Sequence, residues 1–552
     1  MEKRIFIAIG ASIAFLWLWA AISPLLFPQV ARQRQEQEAA RRRAAATATE
    51  TATATDSAPA PPPLAAPVEA PVVAAPVTPV EASEVSYAEV RTANYIARFS
   101  NRGAQLVSFA LLHYREKDGT PVDLVRQRAA TRTDFPFAVE TRDAALTARL
   151  NSVLYTVTEF DSRQGTRTVE FRYTGQDGIS VTKTFRLGDS YLFEYQCSIT
   201  PPVPYRIIVG PGIRTVAADQ ADSQMIITGN GVVRVDGETD VIGRESGDRL
   251  QIFERAEFIG IEDNYFLTAL RPQRASSSIL RRIQLGTGKD IRRDLYAGVT
   301  AAPDGVVNGG AFFGPKETKV LDAHGFDSVL QFGWFGIIAR FLLKALVLIN
   351  TTTGNYGWAI VVLTIIIKII LYPLQHKSIV SMKKMQKVAP KMEAIKAKYK
   401  KARTDPEQRQ KMNVEMMNLY KQEGINPMSG CVPILLQMPI LWGFYGLLSQ
   451  AIELRGAYFM GWIKDLSDKD PYYITPILMT ATMFIQTYIT PMTGDPMQRR
   501  IFLAMPLVFG WIFKEFPSGL VLYWLVQNIL TIIQQMIMNK WWKDHPAELQ
   551  KA

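Results

Sequence analysis

The sequence predicts a polytopic α-helical membrane protein with six spans, a large extracytoplasmic all-β sandwich domain and a cytoplasmic helical hairpin. Three observations predict this fold class. Of the 552 residues, those from 28 to 325 are polar and rich in turns, whereas residues 353–539 hold several apolar runs about as long as a bilayer span. The polar part contains short segments in which apolar and polar residues alternate. The apolar part is interrupted by one strongly basic loop.

The N-terminal segment is predicted to anchor the chain in the membrane. Charged residues at positions 2–4 precede an apolar run over residues 5–27. A cleaved signal peptide would have an apolar region of about 7–15 residues followed by a small-residue cleavage site. This run is longer and no Ala-x-Ala site follows it, so residues 1–27 are predicted to remain as a signal-anchor helix. Residues 28–84 form an Ala/Pro/Thr-rich linker with too few large apolar residues for a core.

Residues 85–326 are predicted to form the β-sandwich domain. Segments 168–173 and 182–187 alternate apolar and polar residues with a period of two, and a third candidate strand runs over residues 191–199. Turn-forming residues separate them, as in the Gly-Gln-Asp-Gly segment at 175–178. Strands at this spacing are typical of a sandwich or a similar all-β domain.

The polar domain shows no pattern that indicates catalysis or metal binding. Its histidines, His113 and His324, belong to no triad or ligand cluster. The two cysteines of the chain, Cys197 and Cys431, lie in the polar part and in an apolar run, which predicts neither a disulfide nor a cysteine-based metal site. We therefore expect no cofactor, no metal and no enzymatic activity. DNA is not expected as a partner either.

Five apolar runs in the second half of the chain are predicted to span the membrane. They cover residues 356–374, 431–448, 473–489, 501–513 and 520–538. The segment 327–352 is also apolar, but it carries Arg340 and Lys344 four residues apart and hence on one helical face. Two cations on one face favour an interfacial amphipathic helix over a span.

The loop at residues 375–427 determines the predicted orientation. It holds thirteen Lys and Arg residues against five acidic ones, so the positive-inside rule places it in the cytoplasm. Both termini then also lie in the cytoplasm, with a five-span core at 353–540 and a short tail at 541–552. An Asp-Pro-Glu segment at 405–407 combines an N-cap, a proline at the first helical position and an acidic first turn. The loop is therefore predicted to be a helical hairpin.

Polar residues recur inside the predicted spans at helical spacing. Lys368 lies well within an apolar run, and Thr364 and Tyr372 lie four residues to either side of it. A charge at the centre of a span costs roughly 2.5–3.5 kcal/mol on insertion scales. Further polar residues in the spans are Gln437, Thr482, Gln486, Tyr523, Gln527, Thr531 and Gln535. An isolated Thr or Gln in a span usually forms a hydrogen bond to a neighbouring helix. Several helices that each carry a row of polar residues around one lysine favour a water-lined cavity instead.

The residues alone leave more than one class of function open. No Asp or Glu lies inside the last five spans, so no carboxylate is available to couple a proton or sodium gradient. No nucleotide motif is present to drive a pump. A cationic, water-lined concavity without an energy source remains. The alternatives are a small-solute transporter and a membrane-tethered carbohydrate-active enzyme whose β domain does the chemistry.

Several stretches of the second half resemble the YidC family of membrane protein insertases. They are Tyr372-Pro373-Leu374, Asn426-Pro427, Cys431-Val432-Pro433, Gln437-Met438-Pro439, Asp470-Pro471-Tyr472-Tyr473, Asp495-Pro496-Met497 and Phe516-Pro517-Ser518-Gly519. The resemblance covers about residues 353–540. The signal-anchor and β domain are similar to the Gram-negative branch of the family, whose periplasmic domain is a β-sandwich similar to sugar mutarotases.

The resemblance implies an insertase and chaperone of the bacterial inner membrane. In the family an arginine lines a hydrophilic groove, and Lys368 stands at the matching position, which keeps the charge without the bidentate fork. The resemblance further implies that an inserting helix contacts Thr364, and Leu441, Met479 and Trp524 along the lipid-facing side. The implied partners are nascent membrane proteins, membrane lipid, the Sec translocon, the ribosome and the signal-recognition machinery.

Overall fold

The structure is a computed structural model that describes most of the chain after residue 78. The described residues are 79–116, 118–125, 135–161, 165–213, 228–243, 250–285, 292–332, 335–399, 405–424, 432–490 and 496–544. The predicted signal-anchor at 1–27, most of the predicted linker and the end of the predicted tail lie outside these residues.

Eighteen strands and a short helix build the β domain in the described part of the chain. The strands are β1 (Tyr87–Arg91), β2 (Tyr95–Ser100), β3 (Gln105–Arg115), β4 (Pro121–Asp123), β5 (Ala138–Thr141), β6 (Thr156–Asp161), β7 (Arg167–Thr174), β8 (Ser180–Leu187), β9 (Leu192–Thr200), β10 (Tyr205–Val209), β11 (Thr228–Val235), β12 (Glu238–Ile242), β13 (Leu250–Phe253), β14 (Ala256–Asp263), β15 (Phe266–Arg274), β16 (Ser277–Leu285), β17 (Arg292–Thr300) and β18 (Val306–Pro315). The helix α1 (Ala144–Ser152) begins after Asp143, whose side chain accepts a hydrogen bond from the backbone N–H of Ala145.

These strands form three antiparallel sheets. The largest has nine strands in the order β12-β11-β14-β15-β18-β9-β8-β7-β6, and the others have the orders β13-β16-β17-β10-β5 and β1-β2-β3-β4. Aromatic rings join the layers: Phe99 of β2 lies 4.6 Å from Phe185 of β8, and Phe109 of β3 lies 5.3 Å from Phe313 of β18. The predicted β-sandwich is confirmed, and the three segments predicted as strands correspond to β7, β8 and β9.

The β domain begins earlier than predicted. The backbone of Val80 pairs with that of Thr174, and the N–H of Ala82 donates to the carbonyl of Leu154. The Ala/Pro/Thr-rich composition led to a predicted boundary at residue 85. Composition does not reveal these contacts, because they use only backbone groups.

The second half of the structure is helical. A short helix α2 (Thr318–His324) leads from the β domain to α3 (Gly336–Thr353), α4 (Tyr356–Lys398), α5 (Pro406–Gln422), α6 (Val432–Gln450), α7 (Ile474–Ile489), α8 (Pro496–Phe513) and α9 (Ser518–Asp544). Among the described residues, three helices are long and apolar enough to cross a membrane, namely α3, α4 and α9, and α7 and α8 contain shorter apolar helices. Helix α3, predicted to lie at the interface, thus also has the length of a span, although Arg340 and Lys344 are both exposed on it.

Helix α4 extends far beyond the span predicted at 356–374. It continues without a break to Lys398, with Pro373 and Pro390 inside it. The predicted boundary was placed where apolar residues give way to lysines, but lysine and methionine favour helix as strongly as leucine does. The change in polarity therefore marks a change of surroundings rather than the end of the helix. In the same way α9 continues to Asp544, beyond the predicted limit at 538.

Helices α4 and α5 pair in antiparallel fashion. Lys391 and Lys398 of α4 form ion pairs with Glu423 and Glu415 of α5, at 2.7 and 3.0 Å. The predicted N-cap is present, because the Asp405 side chain accepts a hydrogen bond from the N–H of Glu407 at 2.9 Å. No residue of α5 is buried, so the helix is held to α4 along one narrow seam.

The β domain is attached to the loop between α6 and α7. Arg455 of this loop forms an ion pair with Glu116 of the β domain at 2.9 Å. The Asn264 amide donates to the carbonyl of Ser449 at the end of α6, at 2.7 Å. Burial raises the pKa of Glu453, whose carboxylate accepts hydrogen bonds from the N–H and hydroxyl of Thr318.

A buried ion pair supports this attachment. Lys316 donates to Glu262 at 3.0 Å and to the carbonyl of Asp263 at 3.1 Å, and the side chains of Lys316 and Glu262 are 3% and 5% exposed. Burial raises the pKa of Glu262, and the Lys316 ammonium opposes that shift. The pair thus fixes the turn that carries Asn264.

Replacing Lys316 by methionine should destabilise the β domain by about 3–5 kcal/mol, because the Glu262 carboxylate would remain buried without a counter-charge. The measurement is urea unfolding of the purified chain in detergent, followed by near-ultraviolet circular dichroism. Combining Lys316→Met with Glu262→Gln should recover most of the loss.

The matched control for this prediction is Arg186→Met. Arg186 and Glu194 also form an ion pair, but their side chains are 56% and 67% exposed. Such exposed pairs contribute about 0–1 kcal/mol. Equal losses for Lys316→Met and Arg186→Met would contradict the assigned role of the buried pair.

Candidate functional site

Helices α4, α6, α7 and α9 share a polar interior. Helix α9 is central to it, because hydrogen bonds of its side chains reach each of the other three helices. Polar residues are costly against hydrocarbon, and in a membrane bundle they usually lie on the sides of helices that face one another. The apolar residues at the other positions of α4, such as Ile369 and Ile370, are 66% and 69% exposed and form its outer surface.

Lys368 provides the positive charge of this interior. It is 8% exposed, and its ammonium donates to the hydroxyl of Thr531 on α9 at 2.8 Å. Thr531 donates in turn to the carbonyl of Gln527 at 2.7 Å. Among the described residues no carboxylate pairs with Lys368. An ammonium has three N–H donors, so two remain for water or for a ligand.

Polar contacts join α9 to α6. The Gln437 amide donates to the hydroxyl of Tyr523, and the Gln527 amide donates to the Gln437 carbonyl oxygen at 3.4 Å. Tyr523 is fully buried, with its ring stacked on Phe444 at 4.3 Å. The ring therefore belongs to the packing of the bundle, while its hydroxyl orients Gln437.

A second set of contacts joins α9 to α7. The Asn528 amide donates to the hydroxyl of Thr482 at 3.3 Å and to the carbonyl of Met479 at 3.4 Å. Further along, the Gln535 amide donates to the carbonyl of Ile489 at 3.3 Å. These bonds act as interhelical links, which is the ordinary role of amides in membrane bundles.

Other polar atoms of the interior have no protein partner. In the described bundle they are Nδ1 of His376, Oε1 of Gln486, Oε1 of Gln527, both amide atoms of Gln534 and Oδ1 of Asn539. A buried polar atom left unpaired costs about 1–3 kcal/mol, so such atoms normally bind water or a ligand. They lie on α4, α7 and α9, three of the helices that share the polar interior, and so favour a wet interior over a set of dry interhelical links.

Only some of the residues predicted on α4 lie in this interior. Thr364 is fully buried, but its hydroxyl donates to the carbonyl of Ile360 at 2.6 Å. Tyr372 is 46% exposed and lies against the His376 ring. With 3.6 residues per turn, positions four apart drift by about 40° at each step, which turns Tyr372 away from Thr364. Gln375, seven residues after Lys368 and 7% exposed, continues the polar face instead.

The three apolar residues expected on the lipid-facing side do not share one open surface. Met479 is fully buried, and its carbonyl accepts a hydrogen bond from Asn528 of α9, whereas its expected contact with an inserting helix stays a prediction. Trp524 packs on α8, with its ring 5.2 Å from that of Phe513, and Leu441 is partly buried. The side of α7 that is exposed carries Ile477 instead.

Sequence reasoning missed Asn528, Gln375 and Gln534. Asn528 lies outside the polar stripe predicted on this span, which took every fourth residue from Tyr523 to Gln535. Gln375 lies where the lysine-rich segment begins, and its spacing of seven residues from Lys368 was the available signal.

Cysteine labelling tests whether this interior is wet. With Cys197 and Cys431 replaced by alanine, Gln486→Cys should react with a charged, membrane-impermeant maleimide, because water gives access to the thiolate. Ile485→Cys on the same helix should not, since Ile485 is 47% exposed on the outer surface and would face lipid. The labelled fraction is measured by gel shift in membrane vesicles. Equal labelling of the two positions would contradict a wet interior.

The bundle with its cationic interior and the attached β-sandwich define a polytopic membrane protein with a large extramembrane domain. A family model described as "60Kd inner membrane protein" matches residues 348–545, and one described as "YidC periplasmic domain" matches residues 88–345. The chain belongs to the YidC family of membrane protein insertases. It is therefore an inner-membrane insertase, and its clients are nascent membrane proteins.

Individual relatives agree with this assignment. The membrane protein insertase YidC of Citrifermentans bemidjiense is 36% identical over 82% of this chain and 85% of its own length. That of Geobacter metallireducens is 34% identical over 98% of both chains. A solved structure of an active YidC insertase with its first transmembrane domain resolved matches 84% of this chain and 94% of that chain, at 20% identity and a TM-score of 0.36. The family assignment rests on the sequence matches.

Proposed function

We propose that the interior around Lys368 is the hydrophilic groove through which a client's polar tail enters the membrane. The observation that carries this proposal is that Lys368 is 8% exposed and has one neutral hydroxyl as its partner in the described bundle. A buried ammonium without a counter-charge attracts an acidic or hydrogen-bonding ligand. The carboxylates of a client tail supply that charge during passage and leave afterwards.

The groove would shorten the polar tail's path through hydrocarbon. Helix α7 has 16 residues, which corresponds to about 24 Å at about 1.5 Å per residue. The hydrocarbon core is about 30 Å thick, so a short helix favours local thinning of the bilayer. The energy of insertion would come from the client's apolar segment, at about 0.8 kcal/mol per buried CH₂. The membrane potential would add about 2.3 kcal/mol per charge and 100 mV for a tail of suitable sign.

The client's apolar segment would leave the groove sideways. Leu441 and Trp524 are both partly buried, and an inserting helix could contact them on its way to lipid. Met479 would act indirectly, by supporting the packing of α7 on α9. Because all these side chains lie in α4, α6, α7 and α9, we assign insertion to residues 353–540.

We further propose six spans with both termini in the cytoplasm. The part of α4 after residue 374 would be cytoplasmic together with α5, since the lysines of this segment obey the positive-inside rule. Helix α3 would lie at the periplasmic interface, with Leu342 and Leu346 buried against the bundle and Arg340 and Lys344 exposed toward headgroups.

Helix α5 is the proposed contact for cytoplasmic partners. None of its residues is buried, so the side that does not pair with α4 is available. Val414 and Met417 are 55% and 51% exposed among charged residues, which gives this surface both apolar and ionic groups. The ribosome and the signal-recognition machinery are the expected partners here, with the Sec translocon beside the membrane bundle.

Lys368 variants test the proposal through the charge of the client tail. Lys368→Ala should lower the insertion rate of acidic-tail clients roughly tenfold or more, since a hydrogen bond to a charged group contributes about 1.5–3 kcal/mol. Clients with neutral tails should lose much less. Lys368→Arg should be near neutral, and Lys368→Glu should be worst for acidic tails because it adds repulsion.

The rates are measured in proteoliposomes with paired clients that differ only in tail charge. Thr531→Val serves as a control, because it removes the lysine's hydroxyl partner but keeps the charge. Equal defects of Lys368→Ala for acidic and neutral tails would refute the electrostatic role and leave Lys368 as a general wetting residue.

A further inference from the structure

Gln534 lies on α9 between two contacts that join α9 to α4. One turn before it, Thr531 accepts the hydrogen bond of Lys368, and one turn after it, Met538 packs with Val380 in a small buried cluster. Gln534 is 9% exposed, and neither its amide oxygen nor its amide nitrogen has a hydrogen-bond partner. Among the described residues it is the only buried side chain with both ends of an amide unpartnered.

The next residue shows what a structural glutamine looks like in this bundle. Gln535 donates to the carbonyl of Ile489 and accepts a hydrogen bond from the hydroxyl of Thr490, both at 3.3 Å. It thus links α9 to α7. Gln534 makes no such link, and a leucine or methionine in its place would spare the bundle two unpaired polar atoms. The stability of the bundle therefore does not explain Gln534.

The chemistry of the side chain indicates what it would bind. A primary amide presents a carbonyl acceptor and N–H donors side by side. A residue of an extended chain presents its own N–H and its own carbonyl on the same side of the main chain, and this pair is complementary to the amide. The amide and such a residue can therefore form two hydrogen bonds that do not depend on the client's side chains, as in other recognition modes that use the main chain. A carboxylate would satisfy only the donors, and a cation only the oxygen.

We propose that Gln534 binds the peptide backbone of a client's translocated segment. Its oxygen accepts from a peptide N–H, and its nitrogen donates to a peptide carbonyl. This inference rests on the proposed groove. Within it, Lys368 attracts acidic side chains, and Gln534 binds the main chain whatever the client's sequence. Oε1 of Gln527 and Oε1 of Gln486 offer further acceptors to the backbone in the same interior.

The test uses the full chain in proteoliposomes and two synthetic single-span clients with the same neutral tail. One tail has ordinary peptide bonds, and in the other every peptide bond is replaced by an ester, which removes all N–H donors of the tail. Gln534→Leu should slow insertion of the peptide client about three- to tenfold, as expected for the loss of neutral hydrogen bonds. With the ester client the same variant should differ from the unaltered chain by less than about twofold.

Two controls separate binding from folding. Gln534→Leu should keep or raise the melting temperature, whereas Gln535→Leu should lower it and slow both clients equally. Should the leucine variant not fold, Gln534→Met, which keeps the length of the side chain, makes the same comparison. Normal insertion of the peptide client by both Gln534 variants would overturn the inference. An equal loss with the ester client would also overturn it and leave Gln534 as a water-binding residue.

A different result would overturn the proposed groove. If the unaltered chain inserted neither client, the groove and the inference that rests on it would both be overturned. If the unaltered chain inserted both clients and the Gln534 variants inserted them equally well, the groove would stand and the backbone role alone would be lost.

Discussion

The ammonium of Lys368 constrains the rest of the helical bundle. It lies 8% exposed among apolar residues and donates to one neutral hydroxyl, Thr531. Holding a charge there is costly unless polar groups and water surround it. Helix α9 supplies much of that environment, because its side chains reach Lys368 on α4, Gln437 on α6 and Thr482 on α7. The same polar interior that accommodates the lysine is what a client tail would enter.

The β domain contacts helix α6, one of the helices that form this interior, and the loop that follows it. It contacts the end of α6 through Asn264 and Ser449, and the loop after α6 through Glu116 and Arg455. Helix α6 carries Gln437, so a fixed end of α6 helps to fix the position of a residue of the polar interior. The buried pair of Lys316 and Glu262 holds the turn from which Asn264 reaches across. The β domain is thus a support for the bundle as well as a folded domain of its own.

The sequence predicted the fold well wherever a regular period was involved. Alternation with a period of two predicted β7 and β8, and the Asp405 cap predicted the start of α5. Lys368 was found because a charge within an apolar run is conspicuous. Features that depend on the tertiary structure were not predictable: the contact between Glu116 and Arg455 joins residues 339 positions apart. Neighbours such as Gln534 and Gln535 look alike in sequence and differ only in what surrounds them.

The predicted site differs from the structure at two points, for separate reasons. Spacing of four residues was treated as one face, but the face drifts, so Tyr372 turned outward while Gln375 lay inside. Met479 was expected to contact an inserting helix because of the resemblance to the YidC family, and a resemblance does not show whether an apolar residue of a membrane bundle faces lipid or a neighbouring helix. Hydrophobicity alone does not distinguish these surroundings, whereas the packing of α7 on α9 does.

The central claim is that the bundle inserts clients by itself through its polar interior. The most direct measurement reconstitutes the purified chain alone in liposomes, adds a short single-span client and scores the protease-protected fraction. The account predicts protection well above that of empty liposomes, and its loss when Gln437, Gln486 and Gln527 are replaced together by leucine in a chain that still folds. Unchanged protection with those three replacements would contradict it, because insertion would then not need the polar interior.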